Sequence, residues 1–126
     1  MNALLPILYV ALGGAVGSVA RFKLSGLVLR QFIGWTFPIS TFVINIVGCF
    51  AIGVLAGLGE KHEWLSTDLR LLLITGLLGG FTTFSAFGLE TFVLLRQGAV
   101  TMAFLYILSS VMVGLLLLMG GFWLTR

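Results

Sequence analysis

The residues able to do chemistry in this chain are few and mostly uncharged. Asn45 follows Thr41 by one helical turn in an otherwise apolar run, and side chains four apart share a helix face. A buried amide without a partner costs about 2–7 kcal/mol, so Asn45 either bonds a neighbouring helix or donates into a polar path. The stretch "GGFTTFSAFG", Gly79 to Gly88, comes shortly after Gly76 and carries phenylalanine at 81, 84 and 87. Its glycines, with Thr82 and Thr83, weaken a helix. Such a break is either a packing kink or a working one: it frees carbonyls that can hold a cation and leaves a half-helix N-terminus that attracts an anion. Rings spaced by three line one slowly drifting helix face. They either meet lipid and core or turn their positive edges to an anion, a weak interaction that suits conduction because the ion must also leave. Tyr106 and Ser110, four apart, put two hydroxyl donors on one face, for helix contacts or for the same path. Arg21 and Glu90 are ionisable groups within apolar runs, where a charge costs at least about 2.5–3.5 kcal/mol. Arg21 can concentrate anions, Glu90 can pair with a base or shape an opening, and either can snorkel to headgroups.

These residues must be positioned by membrane helices. The chain is 60% hydrophobic and 9% charged over 126 residues, more apolar surface than a soluble domain of this size can hide. A spanning helix needs about 20 mainly apolar residues, and four windows qualify: 4–28, 38–58, 71–95 and 99–124. The expected fold is an all-α integral membrane protein, a single domain over residues 1–126, with its third helix broken near mid-membrane. The first window is read as a retained helix rather than a signal, since its first charged side chain is Arg21. Cys49 is alone, so no disulfide framework forms within one chain, and His62 is a solvated turn residue in the polar stretch Gly59 to Asp68.

Small residues recur at four-residue spacing: Gly13 with Gly17, Gly53 with Gly57, Gly76 with Gly80, Ser110 with Gly114. Such pairs let helix backbones approach where lipid gives no hydrophobic drive. Trp35, Trp64 and Trp123 fall near span ends, as interfacial anchors do. The seven basic residues form no patch for nucleic acid. With four spans, Lys61, Arg70 and Arg126 lie on one side, and Arg30 and Arg96 on the other with Arg21 and Lys23 approaching it. That near balance gives the positive-inside rule little to act on, so the chain is a candidate for dual topology. Four thin helices with so few polar groups also imply pairing of copies.

The motifs "GGAVGSVAR", "STFVIN" and "TGLLGGFTTFSAFGLE" resemble those of the small fluoride channels of the Fluc (CrcB) type, and the likeness covers essentially the whole chain. The resemblance implies an antiparallel dual-topology homodimer with two fluoride pores in a bacterial inner membrane. It implies that Phe84 and Phe87 supply ring edges to the fluoride path, with Asn45 as the amide donor and Tyr106, Ser110 and Thr41 in a polar track. Carbonyls of Gly79 and Thr82 from both copies would hold a central structural sodium ion, with Arg21 near a vestibule and Glu90 near a pore mouth. Phe81 receives no role. Ala86, Gly88 and Gly114 stand where the family often carries hydroxyls, which thins the polar lining.

The expected activity is passive, fluoride-selective export. No phosphate-binding loop, metal cluster or nucleophile–base pair is visible, so neither ATP use nor enzymatic chemistry is expected. A small multidrug-resistance transporter would couple to protons through a carboxylate in its first span, but the first acidic residue here is Glu60. A purely structural subunit would have no use for the broken helix and the aligned polar groups.

Overall fold

The computed structural model describes residues 3–62 and 65–126; Trp64, expected as an anchor, lies outside them. Every regular element among the described residues is a helix, and four helical spans are long and apolar enough to cross a membrane. Helix α1 (Leu4–Gln31) ends where the Phe32 N–H donates to the Val28 carbonyl at 3.2 Å, and Gly34 at φ 85° turns the chain. Pro38 then opens α2 (Ile39–His62): its fixed φ suits a first turn, and its carbonyl accepts the Phe42 N–H at 3.1 Å. The helix runs into the polar stretch, so Gly59 to His62 are helical rather than turn.

The third span begins at Ser66, whose hydroxyl caps the helix by accepting the Leu69 N–H at 3.3 Å. Helix α3 covers residues 67–81, with wide π-helical turns over Leu71–Leu78 and a last α-turn at Gly79–Phe81. At Gly79 the N–H still reaches back five residues to the Ile74 carbonyl. The break comes at the threonines: Thr82 is extended at φ −79°, ψ 161°, and Thr83 at φ −150°, ψ 114°. Helix α4 (Phe84–Arg96) follows, Gly98 at φ 76° makes the next turn, and α5 (Val100–Thr125) completes the chain. Sequence reasoning put the glycines into the break itself. They are helical: Gly76 and Gly80 pack closely on α1, while Gly79 is exposed.

That packing divides the molecule into two helix pairs, α1 with α3 and α2 with α5. A methyl on Gly13 would run into the Leu72 carbonyl, and one on Gly17 into the Leu77 carbonyl. Gly76 in turn faces the Gly13 Cα, 3.0 Å from an added Cβ. On the other pair, Gly53 lies against the Leu118 backbone and Gly57 against Phe122 and Thr125. Backbone atoms cannot rotate away as side-chain ends can, so each contact admits only glycine. Helix α4 joins the pairs by crossing to α5, where Leu94, Ala103 and Tyr106 form a small core with Phe37, Phe42 and Phe87.

Gly17→Val should therefore lower stability by about 1–3 kcal/mol, read as a lower thermal midpoint in detergent. Gly26→Ala, with nothing within 4 Å of the added methyl, should leave the midpoint unchanged or raise it. Equal losses in both would show that the α1–α3 contact is not the cause.

Candidate functional site

The site is built around the break. Asn45, on α2, turns its amide to Thr83: Nδ2 donates to the Thr83 carbonyl at 3.0 Å, and Oδ1 accepts the Thr83 N–H at 2.8 Å. One side chain thus satisfies both backbone groups of a residue that has left its helix. Nδ2 carries two hydrogens, so one remains for another acceptor.

The two threonines divide the remaining work. Thr82 closes α3, its N–H and its hydroxyl both donating to the Leu78 carbonyl at 2.9 Å. Thr83 caps α4, its hydroxyl accepting the Ala86 N–H at 3.2 Å. In an unbroken helix the Thr83 N–H would go to the carbonyl four residues back, that of Gly79. Here it goes to Asn45, so the Gly79 carbonyl is released on an exposed surface. The Thr82 carbonyl accepts from Arg21 Nη1 at 3.3 Å. Arg21, expected near a vestibule, reaches from α1 to the break.

Beside the break is a cavity of about 410 Å³, between the two helix pairs and only partly enclosed. Asn45, Gly79, Thr82, Phe84, Phe87 and Ser110 all line it, as does Thr83. Ser110 Oγ is buried and has no hydrogen-bond partner, so its donor is unspent. Phe84 and Phe87 sit on the first turn of α4 with ring centroids 5.7 Å apart and planes at 34°. Phe84 is 84% exposed in the single chain, an unusual place for a ring that neither lipid nor partner covers. Phe81 does not continue their stripe: the break separates it, and its ring edge lies near Gly48.

Thr41, Glu90 and Tyr106 form a second polar group. Thr41 Oγ1 donates to Glu90 Oε1 and the Tyr106 hydroxyl to Glu90 Oε2, both at 2.7 Å. Glu90 thereby ties α2, α4 and α5 together through hydroxyls rather than a base. Tyr106 is fully buried, and its ring packs on Phe87 with centroids 5.1 Å apart. Phe87 is therefore the partition, one side on the cavity and the other on Tyr106. Tyr106 and Ser110 share a helix face but serve these two different groups.

Sequence reasoning missed Gly48 and Cys49, which also line the cavity. Their spacing from Asn45, three and four residues on, was the available signal. Cys49 fills the space opposite Gly114, its Sγ 3.3 Å from where a Cβ there would be. Among the described residues no cluster of three His, Cys, Asp or Glu side chains could hold a metal.

Four apolar spans, one of them broken against an amide and bordered by rings and unspent donors, define a multi-pass membrane protein with a cavity beside the break. The sequence profile described as CrcB-like protein, Camphor Resistance (CrcB), matches residues 8–122, and the chain belongs to this family. It is 61% identical to a fluoride-specific ion channel FluC of Methylobacillus flagellatus over 120 residues, 95% of this chain and 94% of that protein. A protein of the same name from Flavobacterium psychrophilum is 50% identical over 87% of this chain and 88% of its own length. Another, from Azobacteroides pseudotrichonymphae, is 43% identical over 95% of each. These relatives are named as channels, and on that ground the chain is not an enzyme.

Asn45→Leu should remove both bonds to Thr83 and leave an N–H and a C=O unpaired, at about 1–3 kcal/mol for each group. Asn45→Gln keeps both the donor and the acceptor on a longer arm and should lose less. The thermal midpoints in detergent check the order; a Gln variant no more stable than the Leu variant would mean that the pairing does not hold the break.

Proposed function

We propose that this protein is a fluoride-selective channel that lets cytoplasmic fluoride leave a bacterial cell passively through its inner membrane. The observation that carries the reading is the set of unspent donors and aromatic rings around one cavity: the second Asn45 N–H, the partnerless Ser110 hydroxyl, and the paired rings of Phe84 and Phe87. Fluoride is small and tightly hydrated, so stripping its water is costly. Neutral donors and positive ring edges replace part of that shell without the grip of a full cation, so the ion is admitted and released. A membrane potential, negative inside, drives the anion out with about 2.3 kcal/mol per charge per 100 mV.

The working unit is an antiparallel homodimer of dual topology, with two pores. Two features support this: the cavity is only partly enclosed in a single chain, and Phe84 and Gly79, which line it, are exposed. A second copy, with lipid around the pair, would cover them. The Gly79 and Thr82 carbonyls of both copies would hold a structural sodium ion between them. The fit rests on the Gly79 carbonyl, which has lost its Thr83 donor, and on neutral oxygens at the end of a half-helix, a donor set that suits sodium. Such an ion would supply positive charge to join the two breaks. Thr41, Tyr106 and Glu90 continue the polar track beyond Phe87.

Liposomes carrying the pure protein should release fluoride when a potassium gradient with valinomycin sets the potential, and should retain chloride. Equal chloride release would overturn the selectivity. Phe84→Ile and Phe87→Ile should each cut fluoride flux at least about tenfold, a barrier change of about 1.4 kcal/mol, while the dimer still elutes intact. Unchanged flux in both would move the path away from the rings.

A further inference from the structure

The Thr82 carbonyl, one of the two assigned above to sodium, already has a cationic partner. Arg21 Nη1 donates to it at 3.3 Å across 61 residues of sequence. The fold brings these two groups within reach. Gly17, one turn before Arg21 on α1, lies so close to α3 that an added Cβ would be 2.9 Å from the Phe81 nitrogen. The backbones are pressed together immediately below the break, and the next turn of α1 brings the guanidinium to its height. Among the described residues no carboxylate pairs with Arg21; the ion pair present is Arg126 with Glu60 at 3.3 Å. The guanidinium therefore spends its charge on a backbone dipole, at a half-buried position from which its long side chain can still reach water.

We propose that Arg21 is a tethered competitor for the cation at the helix break. Without sodium, its guanidinium holds the Thr82 carbonyl and stands in for the ion. When sodium binds, two positive charges would meet at one oxygen, and their repulsion in a poorly solvated site is strong. The arginine, which has solvent within reach, is the one that leaves. Sodium binding then does two things at once: it joins the breaks and releases a positive charge beside them, where it can gather anions at the channel mouth. By linkage, whatever draws the guanidinium outward, including a high anion concentration, must tighten sodium by the same factor. The idea rests on the sodium site proposed above, and the experiment separates the two.

The thermal midpoint of the purified wild-type dimer is followed as sodium is titrated against N-methylglucamine, alongside Arg21→Gln and Arg21→Lys. Glutamine keeps a neutral donor for the carbonyl and removes the charge; lysine keeps the charge. The half-saturating sodium concentration should fall about tenfold in Arg21→Gln, as expected from removing one nearby like charge, and should stay close to wild type in Arg21→Lys. An unchanged value in Arg21→Gln overturns the competition and leaves the sodium site standing. A midpoint indifferent to sodium in all three proteins overturns both. The wild-type protein gives a second measurement that needs no variant. Phenylglyoxal labelling of Arg21, read by mass spectrometry, should be several-fold faster in saturating sodium than in N-methylglucamine. Equal labelling rates overturn the competition even if Arg21→Gln fails to assemble.

Discussion

A backbone that leaves its helix inside lipid has no water to bond, and the pairing of Asn45 with Thr83 is what makes the broken third span possible. An extended residue at that depth exposes one N–H and one C=O, each costing several kcal/mol if left bare. An asparagine side chain is a primary amide, so it can offer a donor and an acceptor side by side and match both at 3.0 and 2.8 Å. Aspartate would lack the donor, and leucine both. The position on α2 matters as much as the residue type. Gly48, three residues on, is where a methyl would collide with the Thr82 side chain, so α2 comes near enough to the break for the short amide to reach.

The rest of the site follows from that pairing. Because the Thr83 N–H is taken by Asn45, the Gly79 carbonyl is set free at the end of α3. Because Thr83 is extended, its hydroxyl is in position to cap α4, and the new helix starts at Phe84 with its own rotation. Phe84 and Phe87 then face the cavity as a pair, while Phe81 stays with α3 against α2. An unbroken helix would have kept the three rings on one drifting stripe. The direction of α4 also carries Glu90 to α5, where Tyr106 and Thr41 meet its two oxygens. Two hydroxyls meet this one side chain, and no cation pairs with it among the described residues, so Glu90 fixes how both hydroxyls are turned.

How much of this was legible in the sequence depended on whether a feature was periodic or relational. The four spans were legible because apolar length is a property of each segment alone. The glycine pairs were legible for the same reason, and their spacing correctly announced close backbone contact, though not which helices would meet; Ser110 with Gly114 instead faces the cavity and the Cys49 side chain. The break was legible in kind but not in place. Glycine weakens an isolated helix, yet here Gly76 and Gly80 are held helical by tight contact with α1, and the threonines yield because a partner waits for one of them on α2. Likewise Asn45 read either as a helix-to-helix bond or as a donor to a path, whereas its two amide hydrogens let the two readings stand together. The Glu90 cluster was out of reach, since its three members lie on three helices and no spacing along the chain links them. The motif "GGFTTFSAFG" did carry the family resemblance, which the profile match over residues 8–122 bears out.

One chain by itself leaves most of its apolar side chains and part of its polar site uncovered. Only six hydrophobic residues are buried among those described, and Leu78 is the one α3 contributes within its helix. Lipid accounts for exposed leucines and valines on the outer faces, but not for an exposed glycine carbonyl and a partly open cavity that holds an amide and a hydroxyl. Hydrocarbon cannot satisfy those groups, so in the membrane they must face water, an ion or another copy. A parallel neighbour would bring like ends together and leave both cavities on the same side. An antiparallel neighbour would set break against break about a two-fold axis, as the proposed dimer requires, and the near-even division of basic residues between the two sides removes the obstacle to inserting the chain both ways. In the proposed dimer the weak orientation signal and the open site belong together: a chain that pairs with its own inverted copy gains from having no strong preference for either direction.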